Sequence, residues 1–108
     1  MNRALPLALC LLLSFMGHAD AQPPSPERTA ELSNIVVQDC GSCHGLRLNG
    51  GLGPPLVPAA LDGKPAELLM ATILYGRAGT AMPPWQPFFT ESEVAWIVDG
   101  LQKGSFLK

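Results

Sequence analysis

The sequence predicts an all-α domain: three main helices, joined by two long loops that must wrap something other than polypeptide. Three observations carry this. Apolar residues recur at helical spacing over 32–36, 68–73 and 94–101. No segment alternates apolar and polar residues long enough to make a strand. The stretches 45–63 and 76–89 are too long to be plain connections in so small a domain.

The chain has 108 residues, which is room for one domain. Residues 1–21 read as a secretory signal. Arg3 supplies the positive start, and Ala4 to Met16 is an apolar run of 13 residues. Ala19-Asp20-Ala21 places small residues where a signal peptidase reads them. A membrane anchor is the competing reading, but a spanning helix needs about 20 apolar residues. Cleavage after Ala21 leaves no membrane span. It removes Cys10, His18, Met1 and Met16, so Cys40, Cys43, His44, Met70 and Met82 are the whole remaining stock of those types.

The mature chain, Gln22 to Lys108, has 87 residues. It carries six Lys and Arg against eight Asp and Glu, a net charge of −2. No basic patch can neutralise a run of phosphates, which excludes nucleic acid as a partner. A chain this short buries only about 60–70% of its unfolded surface, and small exported domains need a staple. A Cys40–Cys43 disulfide would close too short a loop to serve.

The elements follow in order. Residues 22–26 are a Pro-rich flexible leader, and the folded domain covers 27–108. Ser25-Pro26 is an N-cap with proline at the first helical position. Leu32, Ile35 and Val36 continue a first helix from about Glu27 to Asp39, which delivers the chain to Cys40. Gly45, Gly50, Gly51, Gly53 and Gly63, with Pro54, Pro55 and Pro58, make 45–63 an irregular loop. Pro65 opens a second helix, with Leu68, Leu69, Thr72 and Ile73 on one side, and Gly76 closes it. A second irregular loop holds Met82-Pro83-Pro84-Trp85. Thr90 to Glu93 is a capping box. Val94, Ile97, Val98 and Leu101 then stand at i, i+3, i+4 and i+7, an amphipathic last helix.

Cys40-Gly41-Ser42-Cys43-His44 is C-x-x-C-H, the attachment signal for c-type haem. Two thiols at this spacing add to the two vinyl groups of one porphyrin, and the adjacent histidine becomes an axial ligand to iron. Three other readings compete. A thioredoxin-like pair expects a βαβ context, which the sequence lacks. Half a zinc site needs two more ligands, and the mature chain has no other Cys or His. The third is a small structural disulfide.

His44 is alone, so bis-histidine ligation within one chain is excluded. Met70 sits between Leu69 and Ala71 in an amphipathic helix, where methionine is usually core filler. Met82 stands in a Gly- and Pro-bearing loop, and Pro83 biases it toward an extended conformation. Met82 is therefore the expected sixth ligand, with Met82 as packing beside an open iron as the alternative. With His44 and Met82 both bound, no substrate site remains on the iron. A thioether also favours ferrous iron relative to bis-His ligation. That is the chemistry of an electron carrier rather than an enzyme; a haem sensor with an open iron is the alternative.

The sequence resembles the class I cytochromes c over about 31–102. Three landmarks occur in that family's order: Cys40-Gly41-Ser42-Cys43-His44, Gly53-Pro54-Pro55-Leu56 and Met82-Pro83-Pro84. The resemblance implies three main helices and long loops wrapped around one covalently bound haem. It also implies that Pro54 offers its carbonyl to the His44 ring, fixing the imidazole. The family's first and last helices cross beside the haem, which suits the apolar faces of 32–36 and 94–101. That family commonly has an aromatic where Gly100 falls here; Trp96, one turn earlier, is expected to cover the gap. Gly100 should also weaken its helix by about 1 kcal/mol relative to Ala.

Within that family the CGSCHG start, the GGLGPPL loop, the ATILYGR segment and the GTAMPPW loop are similar to small NirC-type cytochromes. Those are encoded with haem-cd nitrite reductase in denitrifying bacteria. The resemblance implies a periplasmic monohaem electron carrier whose partner is that reductase, or an accessory role in maturing its d-type haem. Trp85 has two readings, a haem-edge contact and a core aromatic. Arg47 and Arg77 are each a haem-propionate partner or a solvated surface arginine. Pro83, Pro84 and Leu52 would form a low-charge rim suited to small, weak redox interfaces.

Overall fold

The computed structural model describes residues 23–108. The export signal read over 1–21 lies outside them, as does the first residue of the leader. Ser25 caps the first helix: its Oγ accepts from the Arg28 N–H at 3.2 Å, and Pro26 holds the first helical position. Helix α1 spans Pro26–Ile35 and runs without a break into a π-helical segment, Val36–Cys40, and then α2, Gly41–His44. The helix expected to stop at Asp39 thus continues through the whole C-x-x-C-H motif. Its widened turn is closed by the Gly41 N–H donating to Val36 O, a five-residue step.

The stretch 45–63 is not wholly irregular. Helix α3, Pro58–Leu61, is one turn, set by Pro58 after an extended Val57. The amides of Ala60 and Leu61 both donate to Val57 O. Helix α4, Ala66–Tyr75, sits between Pro65 and Gly76 as its punctuation predicts. Helix α5, Glu91–Lys103, begins at the Thr90 capping box and ends at Gly104 in the left-handed conformation. No strand occurs among the described residues. The core joins Leu32 and Val36 to Val94, Ile97, Val98 and Leu101 of α5, with Leu61 and Leu74 closing it from α3 and α4.

A single arginine fastens the two ends of the domain. Arg28 of α1 donates through Nε to Glu93 Oε1 at 2.7 Å and through Nη2 to Glu93 Oε2 at 3.2 Å. Its Nη1 lies 2.8 Å from Glu31 Oε2. Glu93 Oε2 also accepts from the Thr90 N–H, so the cap of α5 and the clamp on α1 share one carboxylate. The Arg28 hydrogen bond holds the Glu93 carboxyl below its ordinary value, against a smaller opposing effect of burial. A carboxyl depressed in the folded state stabilises the fold above its unfolded value, and that support is lost as pH falls through the folded value. Glu93→Gln should therefore lower stability at neutral pH and cost progressively less in acid. Denaturant titrations across that range measure the gap; a gap independent of pH would show that the pair is not its source.

The space above Gly100 is filled, but not by Trp96. Phe106, from the tail after α5, lies there; a Cβ on Gly100 would stand 2.6 Å from its ring. Trp96 meets Phe106 edge-on, with centroids 5.6 Å apart. Gly100 thus exchanges about 1 kcal/mol of helix propensity for an aromatic contact. Gly100→Ala should lower stability in the wild type and raise it by about 1 kcal/mol in a Phe106→Ala background. Equal effects in both backgrounds, by chemical denaturation, would refute the packing account.

Candidate functional site

Cys40, Cys43 and His44 stand at i, i+3 and i+4 on a continuous helix, a spacing that puts all three on one face. The two cysteines form no disulfide with each other, and both are half-buried. Burial pushes the Cys40 thiol up to about 11, and the neighbouring Asp39 carboxylate adds to the rise. That direction is opposite to the lowered thiol that a redox C-x-x-C pair uses. Zinc also lacks support: among the described residues no group of three or more His, Cys, Asp and Glu is placed to hold a metal ion.

The His44 ring is held from two sides. Its Nδ1 lies 2.7 Å from Pro54 O. A carbonyl only accepts, so Nδ1 carries the proton and Nε2 keeps its lone pair for a metal. Pro54 is delivered by loop amides that satisfy the last carbonyls of α2. Gly50 N–H donates to His44 O at 2.7 Å, and Gly53 N–H to Cys43 O at 2.8 Å. Gly53 itself lies flat against the imidazole. A Cβ there would stand 2.7 Å from His44 Cε1 and 2.8 Å from Nδ1.

The two methionines differ in setting. Met70, on α4, packs against the core as a partly buried side chain. Met82 is half-buried in the turn after α4 and lies outside that packed set. Trp85 stacks on Phe89, with centroids 5.4 Å apart and planes 12° apart, and packs against the core. Its backbone N–H donates to Ile73 O at 2.9 Å. Arg77 is exposed; so is Arg47, which lines a surface groove with Asn49, Phe106 and Lys108. Leu52, Pro83 and Pro84 are exposed as well.

The donor set fits one covalently held haem: two thiols and an imidazole on one helical face, with the tautomer of the imidazole fixed. Sequence reasoning passed over the steric role of Gly53 and the residues that shape the Met82 turn, Gly76 and Thr80. A threonine two residues before the methionine was the available signal.

Residues 27–99 match the family described as cytochrome c oxidase, cbb3-type, subunit III. Cytochrome c55X of Pseudomonas aeruginosa is 52% identical over 100 residues, covering 93% of this chain and 83% of that protein. A structure titled c-type cytochrome NirC shares 52% identity and a TM-score of 0.77, covering 79% of this chain and all of that one. Dihydro-heme d1 dehydrogenase of Pseudomonas aeruginosa is 37% identical over 81 residues, which is 74% of this chain but 15% of that protein.

Proposed function

The chain belongs to the c-type cytochromes of the cbb3-type subunit III family, and from that premise we propose that it carries single electrons in the periplasm to haem-cd nitrite reductase during denitrification. At the coarser level it is a haem c protein and an electron carrier rather than an enzyme, as its close relatives are. When bound, the haem supplies a one-electron iron couple.

In this reading Cys40 and Cys43 would hold the porphyrin as thioethers, and His44 Nε2 and Met82 Sδ would hold its iron. The observation that carries it is the 2.7 Å contact between His44 Nδ1 and Pro54 O, which leaves one ring nitrogen committed outward. Pro54 would fix the tautomer and the ring plane of His44 toward the iron. Trp85, stacked on Phe89 beside the Met82 loop, would be a haem contact in this reading. With His44 and Met82 both committed to the iron, the site would pass electrons and leave no position for a substrate. The export signal read from the sequence over 1–21 and the likeness to NirC support the location and the partner.

A second reading has its own support. The chain is similar to 15% of a protein whose name states that it dehydrogenates dihydro-heme d1, which favours an accessory role in maturing that haem. Rapid mixing of the reduced cytochrome with haem-cd nitrite reductase and nitrite separates the two. Fast reoxidation that needs both enzyme and nitrite is expected. Slow reoxidation with an intact, reducible haem would move the assignment to maturation.

A further inference from the structure

We infer that Gly76 and Thr80 are positioning residues for Met82, holding its loop as a clasp on the C-terminal end of α4. This rests on the reading of Met82 as an axial ligand.

The last turn of α4 leaves carbonyls without helical partners, and the methionine loop supplies them. Trp85 N–H donates to Ile73 O at 2.9 Å, and Gln86 N–H to Leu74 O at 3.1 Å. Between these anchors the chain closes on itself. Arg77 N–H donates to Met82 O at 3.2 Å. The Thr80 hydroxyl donates to Arg77 O at 2.7 Å and accepts from the Met82 N–H at 3.3 Å. One exposed hydroxyl thus ties the backbone of Met82 to the start of the turn.

Gly76 is the seat of the clasp. Its φ of 69° and ψ of −169° fall in a region that is essentially glycine's alone. A Cβ there would stand 2.7 Å from Met82 O, 2.9 Å from Pro83 C and 2.9 Å from Pro84 N. All three are backbone atoms, which cannot swing aside as a side-chain tip can. Any side chain at 76 must push the methionine's own backbone away. A loop already held in one shape loses little entropy when its thioether binds, and an outside ligand must displace it. The apparent affinity of that outside ligand scales with the fraction of protein in which Met82 has let go.

The test is imidazole titration of the purified holoprotein, with the thioether-to-iron charge-transfer band and the midpoint potential read on the same samples. Met82→Ala sets the scale. If it leaves the spectrum and imidazole affinity unchanged, the ligand reading itself fails. Given that Met82 is a ligand, Gly76→Ala should tighten imidazole binding about tenfold or more, with a weaker band and a lower potential. Thr80→Val, which keeps the side chain's shape and removes the hydroxyl, should tighten it by about threefold or more. Gly79→Ala is the control: Gly79 has a φ of 76° in the same loop, but a Cβ there meets nothing within 4 Å. The positive φ strains any side chain there, but no backbone atom of Met82 stands in its way, so the variant should shift imidazole affinity clearly less than Gly76→Ala. The inference is overturned if Gly76→Ala and Thr80→Val match wild type while Met82→Ala does not. It is equally overturned if Gly79→Ala reproduces Gly76→Ala. Should Gly76→Ala yield no holoprotein, Thr80→Val decides.

Discussion

Gly53→Ala should loosen His44, the proposed iron ligand, and raise the midpoint potential. The added methyl would stand 2.7 Å from His44 Cε1, well inside van der Waals contact. The ring must tilt or the loop must lift, and either motion lengthens the 2.7 Å contact from Nδ1 to Pro54 O. That hydrogen bond makes the imidazole more basic, and a more basic ligand favours ferric iron. Its loss shifts the balance toward ferrous, by about 60 mV for each tenfold change in a one-electron couple. Potentiometric titration measures the rise. Pro54→Ala is the informative companion, since the acceptor is a backbone carbonyl and survives the change. A Gly53→Ala protein with the wild-type potential would show that the close approach at Gly53 does not set the ring.

Removing the covalent haem should have the largest effect of all, the loss of cooperative folding. Only ten apolar side chains are buried among the described residues. Large apolar groups meanwhile stand open: Leu52 is 81% exposed, Phe88 66% and Leu68 56%. A small chain with so thin a core sits near the limit of independent stability. A Cys40→Ala/Cys43→Ala chain should show weak helical circular dichroism and a broad thermal transition. A sharp, native-like transition from that chain would contradict the account.

Much of the fold was legible because it is punctuated locally. Pro65 and Gly76 bracket α4, and Thr90 with Glu93 starts α5; each signal acts within a few residues. The features that escaped are those that distance creates. Arg28 and Glu93 are 65 residues apart, so their bond has no sequence signature. Gly100 reads as a propensity deficit until Phe106 is seen above it. Helix α3 is a single proline-started turn inside a Gly- and Pro-rich stretch, too short to show a period. At the candidate site the motif announced the residue types. The flat approach of Gly53 and the clasp around Met82 depend on how two loops fold back onto helix ends.

The widened turn at Val36–Cys40 has a consequence for lineage. A π-helical turn carries one residue more than the α-helix it interrupts. In an unbroken α-helix one extra residue turns everything after it by about 100°. Leu32 and Val36 would then lose either the core or their alignment with Cys40, Cys43 and His44. The bulge absorbs the extra residue locally and leaves both halves of the helix facing their own neighbours. Such a turn can take up a one-residue insertion without turning the helix that follows. Aligned relatives that lack it should carry one residue fewer between their last core-facing aliphatic and their first haem-linked cysteine.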